Sequence, residues 1–129
     1  MVLSARFDSV TANTTTSVNG GQPHRRAVAL RMAISCLTVP ADSDGAITMI
    51  GYKYDASANA AVALTAAFDL EAIAAAKESE EIDLLSTLTD DELRFDEGDT
   101  FYVVVTNDSA AINTQPAGTV VTLELGLLE

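Results

Sequence analysis

LRFDEGDTFYVVVTNDSAAINTQPAGTVVTLELGL, residues 93–127, reads as two β-strands, FYVVVT and TVVTLEL, joined by a polar loop carrying Asn107, Asp108, Asn113, Pro116 and Gly118. Phe, Tyr and Val suit a pleated, half-buried surface, and Gly, Asn, Asp and Pro supply turn dihedrals. An acidic turn, Asp96-Glu97-Gly98-Asp99, leads into the first strand. Val103, Val104 and Val105 form an unbroken apolar run, which predicts burial on both faces and hence a central strand. In the second strand Thr119, Val121, Leu123 and Leu125 alternate with Val120, Thr122 and Glu124, which predicts one dry face and one mixed face.

Upstream, residues 25–39 (RRAVALRMAISCLTV) repeat the period of two. Val28, Leu30, Met32, Ile34 and Cys36 share one face, and Ala29, Arg31, Ala33 and Ser35 the other. Ala, Leu, Arg and Met also favour helix, but the alternation and the stop at Pro40 decide for strand. After the turn ADSDG, residues 46–54 (AITMIGYKY) form a further strand. Its apolar phase changes between Met49 and Ile50, just before Gly51, which predicts a β-bulge there. Residues 61–68 alternate Val62, Leu64, Ala66 and Phe68. Residues 69–78 (DLEAIAAAKE) are the one good helix candidate, with Asp69 as cap. Residues 81–88 return to strand with Ile82, Leu84, Ser86 and Leu88 in phase, and Thr89-Asp90-Asp91-Glu92 reads as a capped helical turn. Six strands, seven if the N-terminus adds one, separated by regular turn signals, predict an all-β protein, an antiparallel β-sandwich or jelly roll with one short helix.

Residues 1–24 stand apart. Val2, Leu3 and Phe7 give way to TANTTTSVNGGQPH, a polar, turn-prone tract without periodicity that does not repay its ordering entropy alone. It reads either as a floppy terminus or as an extended arm that orders on a partner, and the apolar tip favours the arm. The expected organisation is therefore an arm over 1–24 and one β-sandwich domain over 25–129.

The 129 residues suffice for one domain without disulfide staples, and the single Cys36 reads as a small core residue. Nineteen acidic against seven basic residues give a formal charge of −12, which disfavours nucleic-acid and anionic-membrane partners. No stretch approaches the ~20 apolar residues of a membrane span, and the N-terminus lacks the basic start and apolar core of a signal peptide. The expectation is a soluble protein made in the cytoplasm.

Catalytic chemistry finds little purchase. His24 lies in a loop beside Arg25 and Arg26, Cys36 is on the inward face, and no third group orients such a pair. Zinc lacks ligands. Asp42-Ser43-Asp44-Gly45 contains an Asp-x-Asp-Gly fragment without the remaining ligands of a calcium loop, and Asp96, Glu97 and Asp99 read as solvated turn residues. Neither a metal nor a cofactor is expected.

The order of features carries a resemblance. A polar N-terminal segment precedes a strand ending in TVP and a DG turn. DLEAI, LTDDELRFDEGDTFYVVV and a loop ending PAGTVVTLEL follow. This pattern, strongest over residues 60–127, resembles the small jelly-roll virion proteins of tailed bacteriophages, in particular capsid decoration (cement) proteins and head-fibre bases. The resemblance implies a non-enzymatic structural protein on the capsid exterior, often a homotrimer, that binds the major capsid protein and braces the shell. The contact candidates are Val2, Leu3, Arg6 and Phe7 of the arm and the basic trio His24, Arg25 and Arg26 at its base. Other readings are a glycan-binding β-sandwich of a fibre or adhesin, with Tyr52 and Tyr54 as its platform, or another head or tail component.

Overall fold

A computed structural model describes residues 1–41, 45–110 and 112–128, so the Asp42–Asp44 fragment lies outside the described residues. Ten strands form two antiparallel sheets. The first sheet, A, runs in the order β1 (Val2–Phe7), β10 (Thr119–Leu127), β3 (Ala27–Ser35), β7 (Glu80–Ile82), with β8 (Arg94–Phe95) also on β3. Sheet B runs β2 (Thr14–Gly21), β9 (Thr100–Asn107), β4 (Ile47–Asp55), β5 (Ala60–Ala63), with β6 (Phe68–Asp69) also on β4. If the short pairs β5/β6 and β7/β8 each count as one broken edge strand, eight strand positions remain. Their order is that of a jelly roll. The single α-helix among the described residues, α1 (Asp90–Leu93), is one turn closed by a capping box between Thr89 and Glu92.

The core lies between the sheets and follows the period of two. Ile47 and Met49 of β4, Phe101, Val103 and Val105 of β9, and Val121, Leu123 and Leu125 of β10 point inward. β10 therefore has the dry face its sequence predicts. β9 is central as predicted but dry on one face only, because Tyr102, Val104 and Thr106 are half-exposed on the other. Cys36 is a core residue, and burial raises its thiol pKa although a 3.1 Å contact with the Thr119 hydroxyl works the other way.

Several expectations need correction. No arm extends from the sandwich. Residues 1–24 supply β1, paired to β10 from Val2↔Glu124 to Phe7↔Thr119, and β2, paired to β9. Leu3 and Ala5 enter the core, and the Thr-rich tract uses its β-branched side chains on an edge strand. The Gly20-Gly21 pair is not slack either. A Cβ at Gly20 runs into the Phe101 ring, and Gly21 takes φ +98° where the register against β9 shifts. The ten-residue helix expected at 69–78 is a single 3₁₀ turn at Leu70–Ala72. Asp69 caps it as expected, but only Leu70 and Ile73 anchor the segment, and Lys77 N–H is pulled onto the Cys36 carbonyl at 2.7 Å. So short a helix has too few hydrogen bonds to persist on propensity alone. The strand expected at 61–68 breaks at Leu64, where the Thr65 hydroxyl accepts from Gly51 N–H. The strand expected at 81–88 survives as β7 and a lone bridge between Leu84 and Thr65.

The bulge expected near Gly51 is absent, since β4 pairs in unbroken register with β9. Position 53 must then face inward, and Lys53 is 1% exposed in the core. Its Nζ donates to the carbonyls of Asp91 and Arg94 at 2.9 and 2.8 Å and lies 5.9 Å from the Phe95 ring centroid. One ammonium thus ties sheet B to the end of α1 and to β8 of sheet A. The bulge sits instead on β3, where Glu124/Leu125 of β10 face Arg31 and Ala29 and leave Leu30 over. Leu30 and Val28 consequently lie on the outer side, against the predicted phase.

Two outcomes test this architecture. Deleting residues 2–8 removes β1 and should abolish cooperative thermal unfolding followed by circular dichroism, and Leu3→Ala alone should cost about 2 kcal/mol; a dispensable arm would leave both melts unchanged. Lys53→Ala, which strands two carbonyls and leaves a cavity, should cost about 3 kcal/mol in urea unfolding, and Lys53→Met, which keeps the volume, clearly less.

Candidate interaction surface

The strand alternation that fills the core also fixes what each sheet shows to its outer side. On sheet A, β1 presents Val2, Ser4 and Arg6; β10 presents Val120, Thr122 and Glu124; β3 presents Val28, Arg31, Ala33 and Ser35, with the bulged Leu30. Arg94 of β8 lies opposite Val28, and Glu81 of β7 opposite Ala33. Val2 and Leu30 are 57% and 54% exposed, which makes them two of the most exposed large apolar side chains. Between them Arg31 pairs with Glu124 at 3.1 Å.

The sequence-derived contact residues divide over this surface. Val2 and Arg6 face outward, whereas Leu3 is in the core and Phe7 packs partly against it. His24, Arg25 and Arg26 form the exposed turn between β2 and β3, around a hollow of about 190 Å³ lined also by Pro23 and Glu97. That turn shares an end of sheet A with Val2, because Leu128 N–H donates to the Arg26 carbonyl and Leu125 N–H to the Met1 carbonyl, both at 2.8 Å. Arg6 and Phe7 lie about 13 Å further along β1. His24 and Cys36 flank opposite ends of β3, a nine-residue strand about 30 Å long, and form no dyad. Among the described residues no three His, Cys, Asp or Glu side chains gather as a metal site.

Leu30 was missed as a surface residue, and Arg31, although placed on the outward face, and Arg94 were missed as contact candidates. Leu30 followed the apolar phase of its strand, and its displacement depends on the β10 register, which β3 alone does not reveal. With these residues added, all five arginines of the chain stand on the outer side of sheet A or in the turn leading into it. Arg26 and Arg94 converge on Asp96, at 3.0 and 3.2 Å, and Arg94 also holds Asp91 at 2.8 Å. Arg6 and Arg25 pair with no carboxylate among the described residues.

Sheet B shows a different outer face. Its outward residues are Thr15, Ser17 and Asn19 of β2, Thr100, Tyr102, Val104 and Thr106 of β9, Thr48, Ile50, Tyr52 and Tyr54 of β4, and Ala61 and Ala63 of β5. None is charged; Asp69 of β6 pairs with Thr48 at one corner. Tyr52 and Tyr102 are directly opposite and stack at 5.3 Å between centroids with 12° between planes. The Tyr54 hydroxyl bonds the Asn59 amide oxygen. Burial, then the neighbouring Tyr52 and Tyr54, pushes the Tyr102 hydroxyl above its usual pKa.

Compared with models of protein families, with curated proteins and with solved structures, the chain matches none.

The Asp96 cluster has a pH signature. Burial works to raise the Asp96 carboxyl, but the hydrogen bonds and charges of Arg94 and Arg26 together hold it below the usual carboxylate range. A carboxylate with a lowered pKa in the folded state stabilises above its unfolded value, about 3.9, and that contribution is lost as pH falls through the folded value. Asp96→Asn should therefore cost up to about 1 kcal/mol at neutral pH, given its partial exposure. The difference from wild type should shrink as urea unfolding is repeated below about pH 3.9.

Proposed function

We propose that this chain is a capsid decoration (cement) protein of a tailed bacteriophage, a non-enzymatic structural protein that docks on the outside of the head and braces it. The reading is carried by one observation: in a chain of charge −12, every arginine is gathered on the outer side of sheet A or at its end, beside the exposed Val2 and Leu30. Arginine is enriched in protein–protein contacts, and exposed apolar groups rimmed by polar ones mark such surfaces. The favoured partner surface is acidic with apolar pits, repeated over a lattice of major capsid protein. The jelly-roll strand order and the resemblance over residues 60–127 support the same reading.

A single such contact is modest in area, and repetition supplies the strength. Copies joined in a small ring, a trimer by the resemblance, engage neighbouring capsid subunits at high effective concentration, so weak contacts add to stable retention. Steering between the arginine face and an acidic lattice speeds capture at low salt.

Cosedimentation with heads assembled from the major capsid protein of the same genome tests the proposal. Wild type should pellet with the heads in a saturable, salt-sensitive manner. Arg6→Glu and Leu30→Asp, both on exposed positions, should each weaken retention at least tenfold without lowering the melting temperature. Retention of either variant at wild-type levels, or no cosedimentation of the wild type, would sink the assignment.

A further inference from the structure

We infer that the outer face of sheet B is a second binding site, and that its ligand is an uncharged glycan. The chain sorts its aromatic residues by chemistry. Phe95 and Phe101 are fully buried, Phe7 and Phe68 pack against the core, and all three tyrosines stand on this one face. A sheet that needed only a cover would be covered by any residue of β propensity. Here three rings that combine an apolar body with a hydroxyl meet Ile50, Val104, Ala61 and Ala63, with Asn19, Ser17 and Thr100 at the border. Aromatic bodies with polar tips suit ligands that are themselves apolar on one side and hydroxylated at the rim.

Charge and size select among such ligands. The chain carries nineteen acidic side chains, yet the four main strands of sheet B place none of them on its outer face. An anionic glycan would meet repulsion with no cation on the face to offset it, and a cationic ligand would find its partners elsewhere on the molecule. An uncharged ligand loses nothing there. At strand spacings of about 4.8 Å and side-chain rows about 6.7 Å apart, the apolar patch of three strands by three rows covers about 300 Å². A protein partner, a second copy included, needs about 800 Å² per side for a stable interface. The patch has the extent of a short run of sugar rings lying across β9, β4 and β5, over the stacked Tyr52–Tyr102 pair and Tyr54.

This site is on the sheet opposite the arginine face, so it does not rest on the docking proposal and survives its failure. A chain held to a surface through sheet A would turn sheet B outward.

Because the chain has no tryptophan and its three tyrosines all stand here, intrinsic tyrosine fluorescence reports on this face alone. The probes are neutral oligosaccharides of the cellulose, starch, galactan and chitin types, each titrated to millimolar concentration, with a sulfated counterpart as comparison. At least one neutral type should give a saturable change that salt does not weaken, and the sulfated form should give none. Tyr102→Leu should reduce affinity at least tenfold. Val104→Lys, which keeps all three reporters and places a charge on the patch in the row next to Tyr52 and Tyr102, should abolish the response while the melting temperature stays near wild type. The inference is overturned if every neutral type fails. It is equally overturned if Val104→Lys responds like wild type, or if the fluorescence follows protein concentration together with a doubled mass, which would put a second copy on the face.

Discussion

The whole sandwich depends on the two strands at its centre arriving last. β10 lies between β1 and β3, and β9 between β2 and β4, so each sheet is two N-terminal strands waiting for a C-terminal one. Leu3 pairs with Leu123 across almost the whole chain, and Val18 with Val103 across about two thirds of it. Little of the core exists before these pairings form, and their loop-closure entropy must be met before any burial repays it. The same constraint governs details that look unrelated. An unbroken β9–β4 register leaves no freedom in which face each β4 residue takes, so position 53 is inside whatever its polarity. Lysine is tolerated there because its length carries the ammonium to the carbonyls of Asp91, in α1, and Arg94, just past it, so that the buried charge is hydrogen-bonded.

The sequence was most legible where alternation was long and the partner strand imposed nothing new. β10, most of β4 and the inward half of β9 read correctly, as did the capped turn at Thr89 and the core place of Cys36. Three kinds of feature stayed hidden, each for a physical reason. β1 and β2 lack the apolar density of a strand because they are edge strands, dry on one side only and free along one backbone edge. The Leu30 bulge belongs to a pair of strands and is invisible in either. The DLEAIAAAKE segment has helical composition and its Asp69 cap, but the tertiary bond from Lys77 N–H to the Cys36 carbonyl sets a path that a ten-residue helix does not follow. The exposure of Val2, Arg6, His24, Arg25 and Arg26 was readable from residue type. The gathering of all five arginines was not, because it requires β1, β3 and β8 to share one sheet.

Outward residues of a sandwich are spared the demands of packing, so their composition is free to follow solubility or binding. Solubility alone would spread charge over both outer faces. Instead the described cations other than Lys53 and Lys77 side with sheet A, and sheet B carries aromatic and hydroxyl groups. Aggregation through a neutral face is the hazard such an arrangement accepts, and the acidic residues crowded between Glu78 and Asp99, on the β7–α1–β8 side, offset it by holding copies apart.

The two outer faces are separated by a core about 10 Å thick and share no side chain. Substitutions that far apart act nearly independently, so one face can change its partner without disturbing the other. A ring of copies docked through sheet A would then present several sheet B faces on the same side at fixed spacing. Individually weak, uncharged contacts would gain from such an array as arginine contacts would from a repeated docking surface, and a rigid sandwich would keep both arrays in register.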